Sequence, residues 1–463
     1  MNTCLSTNID IPYFYKNYDM QIPKIKALPI LGNAPELSKD ILGFFGNNFK
    51  DYGDTFLFSM PVNKTLLATC DADVIKQILQ LNHKNYRKDY GNNILKLALG
   101  NGLLTNEGES WFRQRRLAQP AFYKKRLEGF FDTMNAITLD HIQQLKEKER
   151  TELFIDREMI QLTSKVVIET LLGADVSGKL SQIQNYIYFI QDHMVKLIRI
   201  PFYQFWAKIS GKEKAFLKTL EKFDGILYEI IALRKNQPSR NDLLSMLMEA
   251  RDEDTGEGMS DKQLRDELLT IYVAGHETSG YTLAWAMYSL CSHPEIYRRA
   301  KEEVHRIMPD GKLTMDNFRQ LVYLKNVIDE TLRLYPTAYI LSRESKAPDV
   351  VNDMEIPADV VTLMSIYYLH RNPKYWKQPD AFIPERFEGK DNPLFNSEAY
   401  YPFGGGPRMC IGFYFATMEI TIVLAQLLYH FDMQLDAQHP VAFEPLVTLK
   451  PKYGIKVKIT GAV

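Results

Sequence analysis

Phe403-Gly404-Gly405-Gly406-Pro407-Arg408-Met409-Cys410-Ile411-Gly412 leads into an apolar run from Ile411 to Leu428, and this stretch governs how the whole chain is read. Its glycines let the backbone turn tightly around one sulfur, and the apolar run predicts a helix whose N-terminus points at that sulfur. Amide N–H groups and the helix dipole at that end favour a thiolate, the state a metal ligand needs. One local cysteine leaves zinc or an iron–sulfur cluster short of ligands, whereas a haem iron needs only one. The plain alternative is a buried free thiol at a glycine-rich turn.

The order Phe-x-x-Gly-x-Arg-x-Cys-x-Gly resembles the haem-binding loop of the cytochrome P-450 monooxygenases. That resemblance implies haem b with Cys410 as axial iron ligand, Gly412 closing the loop, and Phe403 packed near the thiolate where it tunes sulfur basicity. It also implies a mainly α fold with a small β part (α+β) and a long central helix over the haem.

The 463 residues carry Lys+Arg 56 against Asp+Glu 57, a net charge of -1 that offers no footprint for nucleic acid. No Pro/Gly/Ser-rich linker or charge block divides the chain, so a single domain over 1–463 is expected. Cys4, Cys70, Cys291 and Cys410 are widely spaced, which fits a reducing cytoplasm. Asn8 to Tyr18 mixes aromatics with charges, and no run of about 18 apolar residues occurs, so neither signal peptide nor membrane anchor is expected. Microsomal family members carry such an anchor. The chain therefore resembles a soluble, bacterial-type member, expected to be a cytoplasmic monomer.

Pro23 to Gly32 reads as an irregular entry. Thr55 to Ser59 and Thr65 to Thr69 read as strands, and Trp111 to about Arg234 as helical with breaks at Pro201 and Gly211. Ser260 with Gln263 makes a capping box for a helix running to about Ser292, before Pro294. A second helix is expected from Asp316 to Leu334, short strands over Tyr339 to Ser342 and Val360 to Met364, and a final β-pair across Val447 to Thr460.

Inside the long helix lies Ala274-Gly275-His276-Glu277-Thr278-Ser279-Gly280. Each glycine costs about 1 kcal/mol against Ala there, so helix propensity did not select them. A threonine hydroxyl can bond the carbonyl four residues back while the glycines let the helix widen, an opening that could hold dioxygen and water above a metal. The stretch is similar to the family's acid–alcohol motif, which implies that Thr278 hydrogen-bonds dioxygen and Glu277 relays protons. His276 reads as an ordinary core or solvent-facing histidine.

Glu330 and Arg333 share one helix face, and by themselves read as a surface ion pair. Glu-Thr-Leu-Arg followed by Pro384-Glu385-Arg386-Phe387 resembles the family's Glu-x-x-Arg helix and partner segment, which implies a buried structural network of Glu330, Arg333 and Arg386. By the same match, Trp111 and Arg115 in Trp-x-x-x-Arg, Arg343 and Arg408 are implied donors to the haem propionates, groups that need cations or N–H donors. The implied apolar pocket draws on Tyr90 to Leu103 (with Leu95 and Leu103), Ile271 and Ala274, Ala338 to Leu341 (with Ile340), and Leu446 with Val447. Each of these equally fits ordinary core packing.

The family reading implies insertion of one oxygen atom from dioxygen into an apolar fatty acid, terpene or steroid. With no flavin or Cys-rich segment, electrons are expected from an external ferredoxin or flavodoxin and its NAD(P)H reductase. Arg113, Arg116, Lys124, Lys125 and Arg126 form a basic cluster on the implied cysteine side of the haem, either a docking site for an acidic donor or a solvated face. Two rivals stand beside this reading. A peroxide-driven hydroxylase typically replaces the Glu277-Thr278 pair with an arginine, and a haem-based gas sensor or haem carrier has no need of a Thr278 relay.

Overall fold

The computed structural model describes residues 22–61, 64–147, 151–173, 180–200, 203–240, 242–389 and 397–462. Cys4, Asn8 to Tyr18 and the Pro201 break lie outside them. Helices dominate, and the longest is Asp261–Ser292 with 32 residues, about 48 Å at 1.5 Å per residue. Ser260 Oγ accepts the Gln263 N–H at 3.2 Å, the forward half of the expected box.

The expected widening at Gly275 and Gly280 is not formed; the helix stays α throughout. Its glycines answer to packing instead. A Cβ on Gly280 would lie 2.6 Å from Ile160 Cδ1 and 3.1 Å from Ile160 Cα, so only glycine lets the helix Ile155–Leu172 come this close.

The helix expected over Asp316 to Leu334 is two, Met315–Phe318 and Val322–Leu334. The reason is a tertiary cap. Glu303, from the helix Pro294–Ile307, accepts the N–H groups of Tyr323 and Leu324 at 2.8 Å each and so fixes where the second helix begins.

Twelve strands are seen among the described residues: β1 Thr55–Met60, β2 Lys64–Thr69, β3 Tyr86–Arg87, β4 Glu152–Phe154, β5 Ile340–Ser345, β6 Asp349–Val351, β7 Met354–Ile356, β8 Val361–Ser365, β9 Phe431–Leu435, β10 Phe443–Pro445, β11 Leu449–Pro451 and β12 Lys456–Ala462. The main sheet has the order β1-β2-β8-β5-β3, with β2 and β8 parallel and the other neighbours antiparallel. The expected terminal pair is corrected: β11 pairs with β10, while β12 lies between β4 and β9. Apolar content marks a strand but not its partner, and Val457 finds Leu153 on one side and Leu435 on the other.

Two cores result. One fills the space between the helices, and the other packs Phe44, Phe45 and Phe49 onto Phe56 and Phe58 of β1. The second core backs the sheet whose strand β5 carries Ile340 and Arg343.

Candidate active site

The cysteine loop is tied to itself by short backbone bonds. Gly404 N–H donates to Tyr401 C=O at 3.0 Å, Met409 to Gly406 at 3.0 Å and Cys410 to Phe403 at 2.9 Å. Gly406 has φ 66°, and a Cβ there would sit 1.8 Å from Leu79 C=O, so the loop closes only with glycine at that position. Gly412 is the N-cap of the helix Phe413–His430, two residues later than the apolar run starts. Its N–H bonds the Cys410 sulfur, and that bond together with the Arg115 charge favours the thiolate. Cys410 itself is exposed, yet the protein mass packed around its sulfur outweighs both and leaves the thiol above its ordinary value. The helix terminus thus assists ionisation without achieving it, and a cation bonded to sulfur would complete it.

Four cations converge beside this loop. Arg408 stacks on the Trp111 ring, 4.1 Å from its centroid, donates to Asn106 C=O at 3.0 Å and pairs with Glu107 at 2.8 Å. Among the described residues Arg343 Nη1 reaches only Ser342 C=O, at 2.7 Å, and burial followed by the Arg408 charge brings its pKa down to about 10. Burial lowers Arg115 too, against the attraction of Cys410. Lys88 is the fourth: burial, then Arg343 and Arg408, brings it down to about 7, with Glu107 and Asp89 opposing. The sequence does not single out Lys88, since a lysine in Tyr-Arg-Lys-Asp reads as solvated. The Trp111 N–H donates to Leu103 C=O at 3.0 Å, so its ring face rather than its donor serves the cluster.

On the long helix, Thr278 Oγ1 donates to Ala274 C=O at 2.7 Å, the predicted back-bond. Ala274 is exposed in mid-helix although Tyr272 and His276 on either side are buried. His276 is a core histidine: it stacks on Tyr272 at 4.6 Å, bonds Tyr272 C=O through Nδ1 at 2.8 Å, and burial depresses it to about 4. Glu277 takes a different direction from Thr278. It accepts from Gln191 at 3.4 Å, and burial raises its pKa while Lys450 and the Thr448 hydroxyl hold it back.

Behind the loop, Glu330 and Arg333 are both 0% exposed. Arg333 spends all five N–H groups: Nε and Nη2 on Glu330 at 2.6 and 2.7 Å, and the rest on the carbonyls of His370, Pro379 and Ala381 at 2.6–2.9 Å. Arg386 Nε and the Ile383 N–H meet the same Glu330 oxygen at 3.2 and 2.8 Å. His370 carries the lock to the cysteine loop. Its Nε2 accepts the Tyr401 N–H at 2.9 Å, so its Nδ1–H faces Arg333 C=O at 3.1 Å. No sequence signal marks His370.

The Cytochrome P-450 family model matches residues 22–459. The chain belongs to the cytochrome P-450 family. It is similar to the chloroplastic LUTEIN DEFICIENT 5 protein of Arabidopsis thaliana, with 29% identity covering 89% of this chain and 73% of that protein. Cytokinin hydroxylase of the same plant is 29% identical over 93% of this chain and 90% of its own length. A bifunctional cytochrome P-450/NADPH–P-450 reductase 2 of Bacillus subtilis is 31% identical over 96% of this chain, which spans 43% of that protein. Plant and bacterial relatives alike match, so kinship does not sort this P-450 as bacterial in type.

As a cytochrome P-450, the protein is an oxidoreductase of the monooxygenase class, with haem b as cofactor and Cys410 as its axial thiolate. The residues present fit that group: Lys88, Arg115 and Arg343 make no ion pair among the described residues, the complement that two propionates require. Of the pocket residues, Leu95, Ile271, Ala338, Ile340 and Leu446 are half-buried, Ala274 and Val447 exposed, and Leu103 buried in the helical core. No helix of the described residues is long and apolar enough to cross a membrane.

Proposed function

We propose that this P-450 oxygenates an apolar small molecule of fatty-acid, terpene or steroid type, as a soluble, bacterial-type, cytoplasmic monomer in which residues 1–463 act as one unit. The observation that carries the reading is Ala274, a methyl-sized exposed position between buried Tyr272 and His276, one turn ahead of the Thr278 hydroxyl. Half-buried apolar side chains from four separate segments support a pocket there.

Haem, when bound, supplies the dioxygen chemistry. Gly412 N–H and Arg115 favour charge on the Cys410 sulfur, and Lys88, Arg115, Arg343 and Arg408 would hold the propionates. Phe403, 6.2 Å from the Phe413 ring, shields the loop. Thr278 Oγ1 keeps its proton on the Ala274 carbonyl and leaves its lone pairs free toward the pocket. Glu277, made more basic by burial, can accept a proton from the Thr448 side and return it after a rotation of its side chain.

Electrons are drawn from a separate acidic ferredoxin or flavodoxin with its NAD(P)H reductase. Only part of the basic cluster serves that role. Arg113 is paired with Glu257 at 2.9 Å and Arg116 with Asp252 and Asp254 at 2.7 and 2.8 Å, whereas Lys124, Lys125 and Arg126 are exposed on a short helix packed against Phe413–His430. The Bacillus subtilis relative is named for a joined reductase, so the donor is tested directly. Stopped-flow reduction by an acidic ferredoxin should slow in Lys124→Glu/Lys125→Glu and lose its salt dependence. Equal rates and salt slopes would remove the docking role. Screening apolar ligands for the low-spin to high-spin Soret shift, with product analysis in the presence of a surrogate donor, tests the oxygenation. A protein that shifts with no ligand and forms no product would be a sensor or carrier.

A further inference from the structure

Outside the haem site, a half-enclosed cavity of about 310 Å³ lies against the first turns of the cysteine helix. Four helices wall it: Lys124–Leu127, Met315–Phe318, Val322–Leu334 and Phe413–His430. Leu127, Phe318, Ile328, Phe413 and Met418 make the lining mostly apolar. Its volume is near the lower end of small-molecule sites, roughly 300–1,000 Å³. A long-chain lipid does not fit it whole.

Three cations and two carboxylates line this cavity. Lys325, Lys124 and Arg319 all reach it, and among the described residues only Arg319 of the three is in contact with a carboxylate, Glu128 at 3.0 Å. The half-buried Lys325 ammonium has a backbone carbonyl, Arg319 C=O at 3.3 Å, and the Phe318 ring with its centroid at 5.1 Å. Burial lowers its pKa first, and Lys124 and Arg319 lower it further while Glu303 and Asp329 resist. Asp329 also lines the cavity, but it is engaged by the Tyr400 hydroxyl at 3.0 Å, and burial raises it to about 7. A half-buried ammonium with no carboxylate in contact among the described residues, beside an apolar chamber, matches a ligand with one negative head and a short apolar body.

We propose that this cavity binds a small amphipathic monocarboxylate, its apolar body among Leu127, Phe318, Ile328 and Met418 and its carboxylate on Lys325 and Lys124. The site is separate from the substrate pocket, since its walls include Phe413 and Thr417 of the cysteine helix and none of the residues expected around Ala274. Binding there needs neither turnover nor an electron donor.

The test is calorimetric titration of decanoate into haem-loaded protein whose substrate side is first saturated with a bulky haem-coordinating azole. One equivalent should bind. Lys325→Met, which keeps the stem and removes the charge, should bind about tenfold more weakly, the loss of one charge-assisted hydrogen bond. Lys325→Arg should retain binding. Thr417→Trp, which fills the chamber, should abolish it with the haem spectrum unchanged. Decanol in place of decanoate should be as weak as the Lys325→Met case. No binding to the azole complex, equal affinity in wild type and Lys325→Met, or equal affinity for decanol and decanoate would each overturn the proposal and leave the monooxygenase reading intact.

Discussion

Two clusters of charge lie near the cysteine loop, one fully buried and one half-buried, and they are built on opposite principles. Around Glu330, every N–H of Arg333 and both carboxylate oxygens are used, by Arg386, Ile383 and three backbone carbonyls. Around Arg343, Arg115 and Lys88, cations are gathered with few partners, and burial first, then the crowding, depresses Arg343 and Lys88. A satisfied buried network holds a fold together, whereas an unsatisfied one of a single sign costs stability until an anion arrives. The first is a lock and the second is a receptor, and substitutions in the two should behave oppositely.

The largest effect is expected at the lock. Glu330→Ala strands Arg333 and Arg386 without their anion and should cost about 3–5 kcal/mol, so little haem-loaded protein forms. Melting and haem content like wild type would show the network to be dispensable. Next comes the sulfur between the clusters: Cys410→Ser should fold yet lose the thiolate-type CO absorption entirely, read in the reduced, CO-bound spectrum. Retention of that band would move the ligand elsewhere.

Substitutions in the receptor should leave folding alone. Lys88→Met and Arg343→Met each remove an unbalanced positive charge, so the haem-free protein should melt no lower than wild type. Transfer of haem to apomyoglobin should meanwhile accelerate about tenfold for each lost charge-assisted bond. A lower apoprotein melting point with unchanged haem release would invert the comparison.

The smallest effect concerns Glu419, a carboxyl buried on the cysteine helix near Ser279, the neighbour of Thr278. Burial raises it from an ordinary 4.5 to about 8, with the Ser279 hydroxyl opposing. Because the folded state holds this proton more tightly, the stability it contributes is full below about pH 4.5 and is lost as pH rises through 8. Glu419→Gln keeps the shape without the titration. Its melting point relative to wild type should therefore climb steadily between pH 5 and 8, and a flat difference would mean that Glu419 is already ionised.

Residues fixed by chain-local chemistry are legible in the amino-acid sequence itself. The cysteine loop is one in part, because Gly406 takes the positive φ of a local turn, although the close approach of Leu79 that also excludes a Cβ there comes from far along the chain. So are the Ser260 cap and the Thr278 back-bond, each a contact between residues three or four apart. The expectations that failed depend on partners far along the chain. Gly280 makes room for Ile160 rather than for a widened helix. Glu303 splits the helix before Val322, and Val457 of β12 pairs with Leu153 of β4, from the other end of the chain.

Sequence alone therefore determined the long helix and the presence of Glu330 and Arg333 on one face, since each is set by spacing within a turn or two of backbone, and it indicated the ligand sulfur through the resemblance of its loop to the family's. Tertiary structure alone decided that Lys88 joins the cation cluster, that His370 bridges Arg333 to Tyr401, and that Arg113 and Arg116 are neutralised while Lys124 and Lys125 stay exposed. Burial and charge pairing depend on what other segments bring within a few ångströms, and no local pattern in the chain encodes that distance.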